Sequence, residues 1–189
     1  MSAVVNAQVR LDGWIVRHAA DLKNLLRILF GAVWLIDGIF KFYFDYAGSF
    51  ASSVATEAQA NPAWLAGWFN FWQTQSSNNP GLWVDLAGTF EILLGLALIF
   101  GFMRKIAFSL GIVLSLFIWS VPEGFGAPYG TDIGTGIIYA VVMVLMIILD
   151  ATYGPTRWSL DMWIEQRWPG WAHIAEFKGF EKGPIEPAA

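Results

Sequence analysis

Three ionisable residues stand in stretches that are otherwise almost wholly apolar: Asp37 and Lys41 within residues 25–44, and Glu91 within residues 82–102. A charge at bilayer depth costs at least about 2.5–3.5 kcal/mol on insertion scales, so such groups face a bundle interior and pair with one another. Asp37 and Lys41 are four residues apart, in the acid-before-base order that helical pairs prefer, and therefore share a helix face. Counted from Arg27 and Arg104 at about 1.5 Å per residue, Lys41 and Glu91 lie about 21 Å and about 19.5 Å along their helices. The two are level, and a Lys41–Glu91 ion pair between neighbouring helices is the expected contact. Asp37 lies one turn deeper, while Asp45, Asp85, Glu123 and Asp132 gather toward the far end.

A carboxyl in such surroundings takes up a proton more readily than in water, and it can hydrogen-bond a quinone carbonyl. On that view Glu91, Lys41 and Asp37 are candidate catalytic residues. Lys41, Glu91, Glu123 and Asp132 are candidate quinone-binding residues, with Glu123, Tyr129 and Asp132 capping a pocket that opens to the outer leaflet. A plainer role fits the same residues: Lys41 and Glu91 lock the helices together, the outer carboxylates are solvated, and Thr131 or Asp132 simply N-caps the next helix. Residue types and spacing leave both open.

The elements that must position these groups are membrane helices. Hydrophobic residues make up 56% of the 189-residue chain and charged ones 14%, where a soluble domain has about a quarter charged. Four apolar stretches, about 25–44, 82–102, 106–121 and 133–149, approach the roughly 20 helical residues that cross a bilayer; the last two borrow flanking residues. Helices satisfy their own backbone in lipid, as open strands do not. The expectation is an all-α, integral membrane four-helix bundle. Gly31 and Gly38 share a face of the first span, as do Gly88 and Gly95 of the second, so backbones can approach there.

Positive charges set the orientation. Arg10, Arg17, Lys23 and Arg27 precede the first span, Arg104 and Lys105 link the second and third, and Arg157 and Arg167 follow the fourth; residues 45–81 and 122–132 hold no Lys or Arg. The positive-inside rule then places both termini in the cytoplasm and those two loops outside, in a plasma membrane. Residues 1–24 read as an amphipathic surface segment or a frayed tail. Pro62 suits the first turn of a helix whose Trp64, Trp68, Phe69, Phe71 and Trp72 lie among the headgroups. Residues 162–189 read as a second interfacial segment, carrying Trp163, Trp168 and Trp171 after Trp158, then a disordered tail from Gly179.

Cysteine is absent, which removes disulfides, thiol redox chemistry, iron–sulfur clusters and thiolate zinc sites. His18 and His173 both lie outside the spans, so no bis-His haem is expected within the bilayer, and no metal is expected. A net charge of −4 without a basic stripe argues against a nucleic-acid partner.

Arg27-x3-Gly31-x6-Gly38-x2-Lys41, Glu91-x3-Gly95 leading to Gly101-x2-Arg104, Asp132-Ile-Gly-Thr-Gly136 and Ser159-Leu-Asp161 together resemble the DoxX/DoxD family, over roughly residues 25–161. The resemblance implies a four-helix membrane domain. In the DoxD branch it implies the small membrane subunit of thiosulfate:quinone oxidoreductase, which passes electrons from thiosulfate to the quinone pool. The long loop before the second span departs from the shorter DoxX pattern. No DoxA-like soluble portion is visible, so a second subunit is implied for that activity. Two functions follow as expectations: a quinone-reactive subunit of an oxidoreductase, and a non-catalytic scaffold or anchoring subunit of a membrane complex. A solute or proton carrier is disfavoured, since neither an inverted repeat nor paired broken helices are evident.

Overall fold

The computed structural model describes residues 2–126, 134–156 and 158–177, with side-chain positions from residue 13 onward. Tyr129, Thr131, Asp132, Ile133, Arg157 and the tail from Gly179 lie outside the described residues. Every described element is helical: α1 (Ser2–Tyr43), α2 (Tyr46–Ala60), α3 (Ala66–Asn78), α4 (Pro80–Phe100), α5 (Arg104–Ser120), α6 (Thr135–Tyr153), α7 (Leu160–Arg167) and α8 (Ala172–Ala175), with single 3-10 turns at Ala63–Leu65 and Pro169–Trp171.

The boundaries have local causes. Asn79 caps α4 by accepting from the Leu82 amide at 3.3 Å, and Pro80 occupies its first turn, where no amide donor is needed. Gly101 ends α4 at φ 63°, a left-handed conformation that glycine adopts without a Cβ penalty. Three elements differ from expectation. The helix of residues 25–44 is continuous with the N-terminal segment, because nothing in residues 13–24 breaks it, and α1 reaches 42 residues. The loop 45–81 holds a further helix, α2, whose small Ala, Ser and Gly residues give no clear apolar stripe; Asp45 caps it by accepting from the Gly48 amide. Pro62 sits before the 3-10 turn rather than inside a helix, and α3 begins at Ala66.

α1 runs antiparallel to α4 along its length, α5 packs on α6, and α1 also touches α6. Trp34, Leu94, Leu98, Ala107, Phe108, Met143 and Met146, drawn from all four long helices, form the shared core. The glycines set the α1–α4 distance. A Cβ on Gly31 would come within 2.9 Å of the Gly95 carbonyl oxygen, and one on Gly38 within 2.8 Å of that of Gly88. The four residues meet crosswise, backbone on backbone. Beyond the end of the bundle α2 and α3 fold over it, burying Val54 and Trp72 against Val121.

The polarity of the long helices is inverted relative to a soluble protein. Lys23, Asn24 and Arg27 are buried on α1 while Leu25, Leu26, Leu29, Val33, Ile36 and Phe40 are exposed. On α4, Glu91 is buried while Leu86, Phe90, Leu93 and Phe100 are exposed. An apolar outer surface this continuous needs a nonaqueous neighbour. α4 and α6 are long and apolar enough to cross a membrane by themselves. The C-terminal half of α1 carries Arg27, Asp37 and Lys41, and α5 has only 17 residues.

The glycine contact gives a direct test. Gly95→Leu forces a side chain to within 2.6 Å of the Leu35 amide nitrogen, and overpacking of this kind costs about 1–3 kcal/mol or more. Thermal unfolding in detergent should fall clearly for Gly95→Leu. It should stay within about 0.5 kcal/mol for Gly67→Ala, where a Cβ meets open space.

Candidate functional site

Two polar centres lie between the long helices, one toward each end. The first joins α1, α4 and α6. Lys41 Nζ stands 2.7 Å from Glu91 Oε2, the pairing expected from the heights of the two residues. Glu91 is almost fully buried and Lys41 is 20% exposed, so the ammonium faces the end of the bundle where α1 gives way to α2, 5.5 Å from the Tyr46 ring centroid. One turn deeper, the Tyr139 hydroxyl donates to Asp37 Oδ2 at 3.2 Å. Tyr139 is held by edge contacts to Phe30 and Trp34, with ring centroids 5.3 and 5.2 Å away. Trp34 is buried, and its indole N–H has no acceptor among the described residues.

Glu123 stands apart from this group. Its carboxylate accepts from the Thr135 and Gly136 amides at 3.0 and 2.9 Å and from the Thr135 hydroxyl. It therefore holds the positive end of the α6 dipole, the capping role that the sequence offered to Thr131 or Asp132. Asp132 itself lies outside the described residues. Nor do Lys41, Glu91 and Glu123 line the apolar groove beside α4. That groove, about 820 Å³, separates α4 from α5 and is bounded by apolar side chains such as Leu86, Phe90, Leu93, Leu110 and Phe117. Glu91 points away from it, toward α1, because only there does it find a cation.

The second centre has Arg104 in its middle, 1% exposed. Its guanidinium meets Asp161 at 2.9 Å, Asp150 at 3.1 Å and Glu165 at 3.7 Å. Asp150 also takes Lys23 at 2.9 Å. Asp161 further accepts from the Met103 amide at 2.8 Å, the Arg104 amide at 3.0 Å and the Trp171 indole at 2.9 Å. Those bonds hold Met103 at φ 50°, a strained conformation for a residue with a side chain. Arg27 donates to the carbonyls of Leu98 and Ile99 on α4 and of Trp158 before α7.

From sequence, Lys23, Arg27 and Arg104 served as markers of the cytoplasmic side, and the two arginines also as motif residues, yet all three are interior. The available signal was Asp150, an acidic residue at the same end of the last apolar stretch. Asp161 entered only as part of a motif. Tyr139 gave no signal, because a tyrosine in a span reads equally well as a belt residue.

The DoxX family model matches residues 22–123, just over half of the chain. Neither the curated proteins nor the solved structures contain a significant match. The matched segment runs from the middle of α1 past the end of α5 and so includes Lys41, Glu91, Asp37, Arg27 and Arg104.

Unequal burial in the Lys41–Glu91 pair predicts unequal costs of breaking it. Lys41→Met strands a fully buried carboxylate, for which about 3–5 kcal/mol is expected. Glu91→Gln strands a partly exposed ammonium and should cost about 1–2 kcal/mol. Unfolding in detergent of both single variants and the double variant measures this, and the double variant should be more stable than Lys41→Met alone.

Proposed function

The chain belongs to the DoxX family of membrane proteins, and we propose that it is the membrane subunit of a quinone-linked oxidoreductase, as in the DoxD branch. The observation that carries this reading is the Lys41–Glu91 ion pair beside the Asp37–Tyr139 hydrogen bond, set between apolar helices. Reduction of a quinone takes two electrons and two protons. A site for it needs donors that hold the ring oxygens and groups that pass protons. Lys41 offers a partly exposed ammonium with N–H bonds to spare beyond Glu91, and Trp34 offers a buried N–H lacking an acceptor among the described residues. In this reading Lys41 and Glu91 hold the head group, while Asp37 and Tyr139 relay protons. Glu123, engaged with the start of α6, and Asp132, outside the described residues, would act as binding residues only in this reading.

The electrons come from a partner subunit, with thiosulfate as donor if the DoxD likeness extends to activity: two thiosulfates join as tetrathionate and release the two electrons. This chain has no cysteine to carry them. In the proposed arrangement residues 25–43 of α1 cross the plasma membrane with α4, α5 and α6. Both termini are cytoplasmic, α2 and α3 cover the outer face, and α7 with its exposed Trp163 lies on the inner face. The run of basic residues at one end, and their absence from residues 45–81 and 122–132, support this orientation.

A second reading, a non-catalytic anchoring subunit, is favoured by one observation. Lys41 neutralises Glu91, and Asp37 accepts from Tyr139, so each carboxylate of the centre has a partner without a ligand.

The complex purified gently from its own membrane, with thiosulfate and a soluble quinone analogue, separates the two. Quinone reduction should fall at least about a hundredfold in Glu91→Gln, with the partner subunit still bound and the protein still folded. Unchanged turnover in that variant would support the anchor instead.

A further inference from the structure

α4 and α5 follow one another through a tight turn, yet each is drawn toward a different helix. Gly88 and Gly95 hold α4 against α1, where a Cβ on Gly95 would come within 2.6 Å of the Leu35 amide nitrogen. Gly136 of α6 sits so close to α5 that a Cβ there would come within 2.5 Å of the Ser115 carbonyl oxygen. The two close seams leave a gap between α4 and α5, the apolar groove of about 820 Å³. Among the described residues that line it, none carries a charge, a hydroxyl or a side-chain amide. Its walls are open to the surroundings: Phe90 and Leu93 on α4, and Leu110 and Val113 on α5, are each more than half exposed.

The dimensions of the groove decide what fits. Its lining residues on α4 run from Trp83 to Phe100, about 25 Å at about 1.5 Å per residue, which gives a mean cross-section of about 30 Å². A helix with its side chains is about 10–12 Å across, roughly 80–110 Å² in section, and cannot enter. A hydrocarbon chain, whose carbons stand about 4 Å from their neighbours, needs roughly 20 Å² and fits. Water finds too few polar partners there, and an empty gap forfeits dispersion contacts along both walls. A ring bearing two carbonyls suits the groove less well than a plain chain, because no charged, hydroxyl or amide side chain is there to bind them.

Length selects the source of the chain. Each leaflet contributes about half of the roughly 30 Å hydrocarbon core, so a groove of about 25 Å takes one acyl chain from each side. Both ends carry the indoles that mark headgroup level. Trp83 stands at one end, its ring centroid 5.1 Å from that of Trp72. Leu160 stands at the other, between the exposed Trp158 and Trp163.

We propose that the α4–α5 groove is a structural lipid site: it takes two phospholipid acyl chains end to end, one from each leaflet, and these chains complete the packing between α4 and α5. The site is independent of the redox reading and stands or falls separately from it.

Full-length protein purified in mild detergent, extracted and analysed by lipid mass spectrometry, should retain about two phospholipids per chain. Ala87 and Ala97 line the α4 wall toward opposite ends of the groove. Ala87→Phe and Ala97→Phe fill the space beside them, so each should lower retention by about one phospholipid, and the double variant by both. Val144→Trp adds bulk to an exposed position of α6 outside the groove and should leave retention unchanged. Exhaustive detergent washing of the unaltered protein should shorten its half-life at raised temperature about fivefold, and added dioleoylphosphatidylcholine should restore it; this measurement needs no variant. The double variant should respond to neither treatment. Absence of retained phospholipid, retention that survives both alanine substitutions, retention lost equally in Val144→Trp, or a washed protein as long-lived as the unwashed one would each overturn the proposal. Extraction of a quinone in place of phospholipid would overturn it too.

Discussion

Arg104 sits where α5 begins, and the rest of the molecule is arranged so that its guanidinium is never without a carboxylate. Asp150 at the end of α6 and Asp161 at the start of α7 both reach it, and Asp150 in turn holds Lys23 of α1. A single cation thereby ties four helices together. Burial of an arginine inside an apolar bundle is tolerable only with close partners and filled hydrogen bonds. That requirement explains the backbone at the α4–α5 connection. Met103 stays left-handed because Asp161 takes both its amide and that of Arg104, and Gly101 turns because Arg27 and Ser159 occupy the space a Cβ would need.

The opposite end obeys the same electrostatic rule with fewer groups. Lys41 and Glu91 face each other across the α1–α4 seam, and the seam can close only because Gly31, Gly38, Gly88 and Gly95 bring the two backbones together. Helix association in lipid lacks a hydrophobic drive, so close packing and buried polar contacts must supply it. The α1–α4 pair has both. The α4–α5 pair, joined by a tight turn yet separated by an apolar groove, has neither over most of its length.

The two centres differ in what they leave available. The Arg104 centre is enclosed, and its carboxylates are shared among several donors, which suits a structural lock. The Lys41 centre is sparse: one ion pair whose ammonium is partly exposed, one Tyr–Asp bond, and one indole N–H without an acceptor among the described residues. The sparse centre is the one with hydrogen-bonding capacity left over. The dense one keeps the helices in register beneath it.

Much was legible before any coordinates. Spacing alone placed Asp37 and Lys41 on one face, put Lys41 level with Glu91 and aligned the glycines, because helical rise and period convert residue number into height and azimuth. Composition and the inverted polarity of the helices likewise follow from the residues, as does the match to the DoxX family. Other features depended on tertiary structure. Whether Arg27 and Arg104 lie at the surface or inside is decided by Asp150 and Asp161, whose distance in the chain from them says nothing about their distance in space. Glu123 turned out to hold the start of α6 because the chain returns to it from residue 135 onward. The Asp37–Tyr139 bond is likewise a long-range meeting. Local sequence determines which way a side chain faces on its own helix; only packing decides which partner it meets there, and for buried charges the partner determines the role.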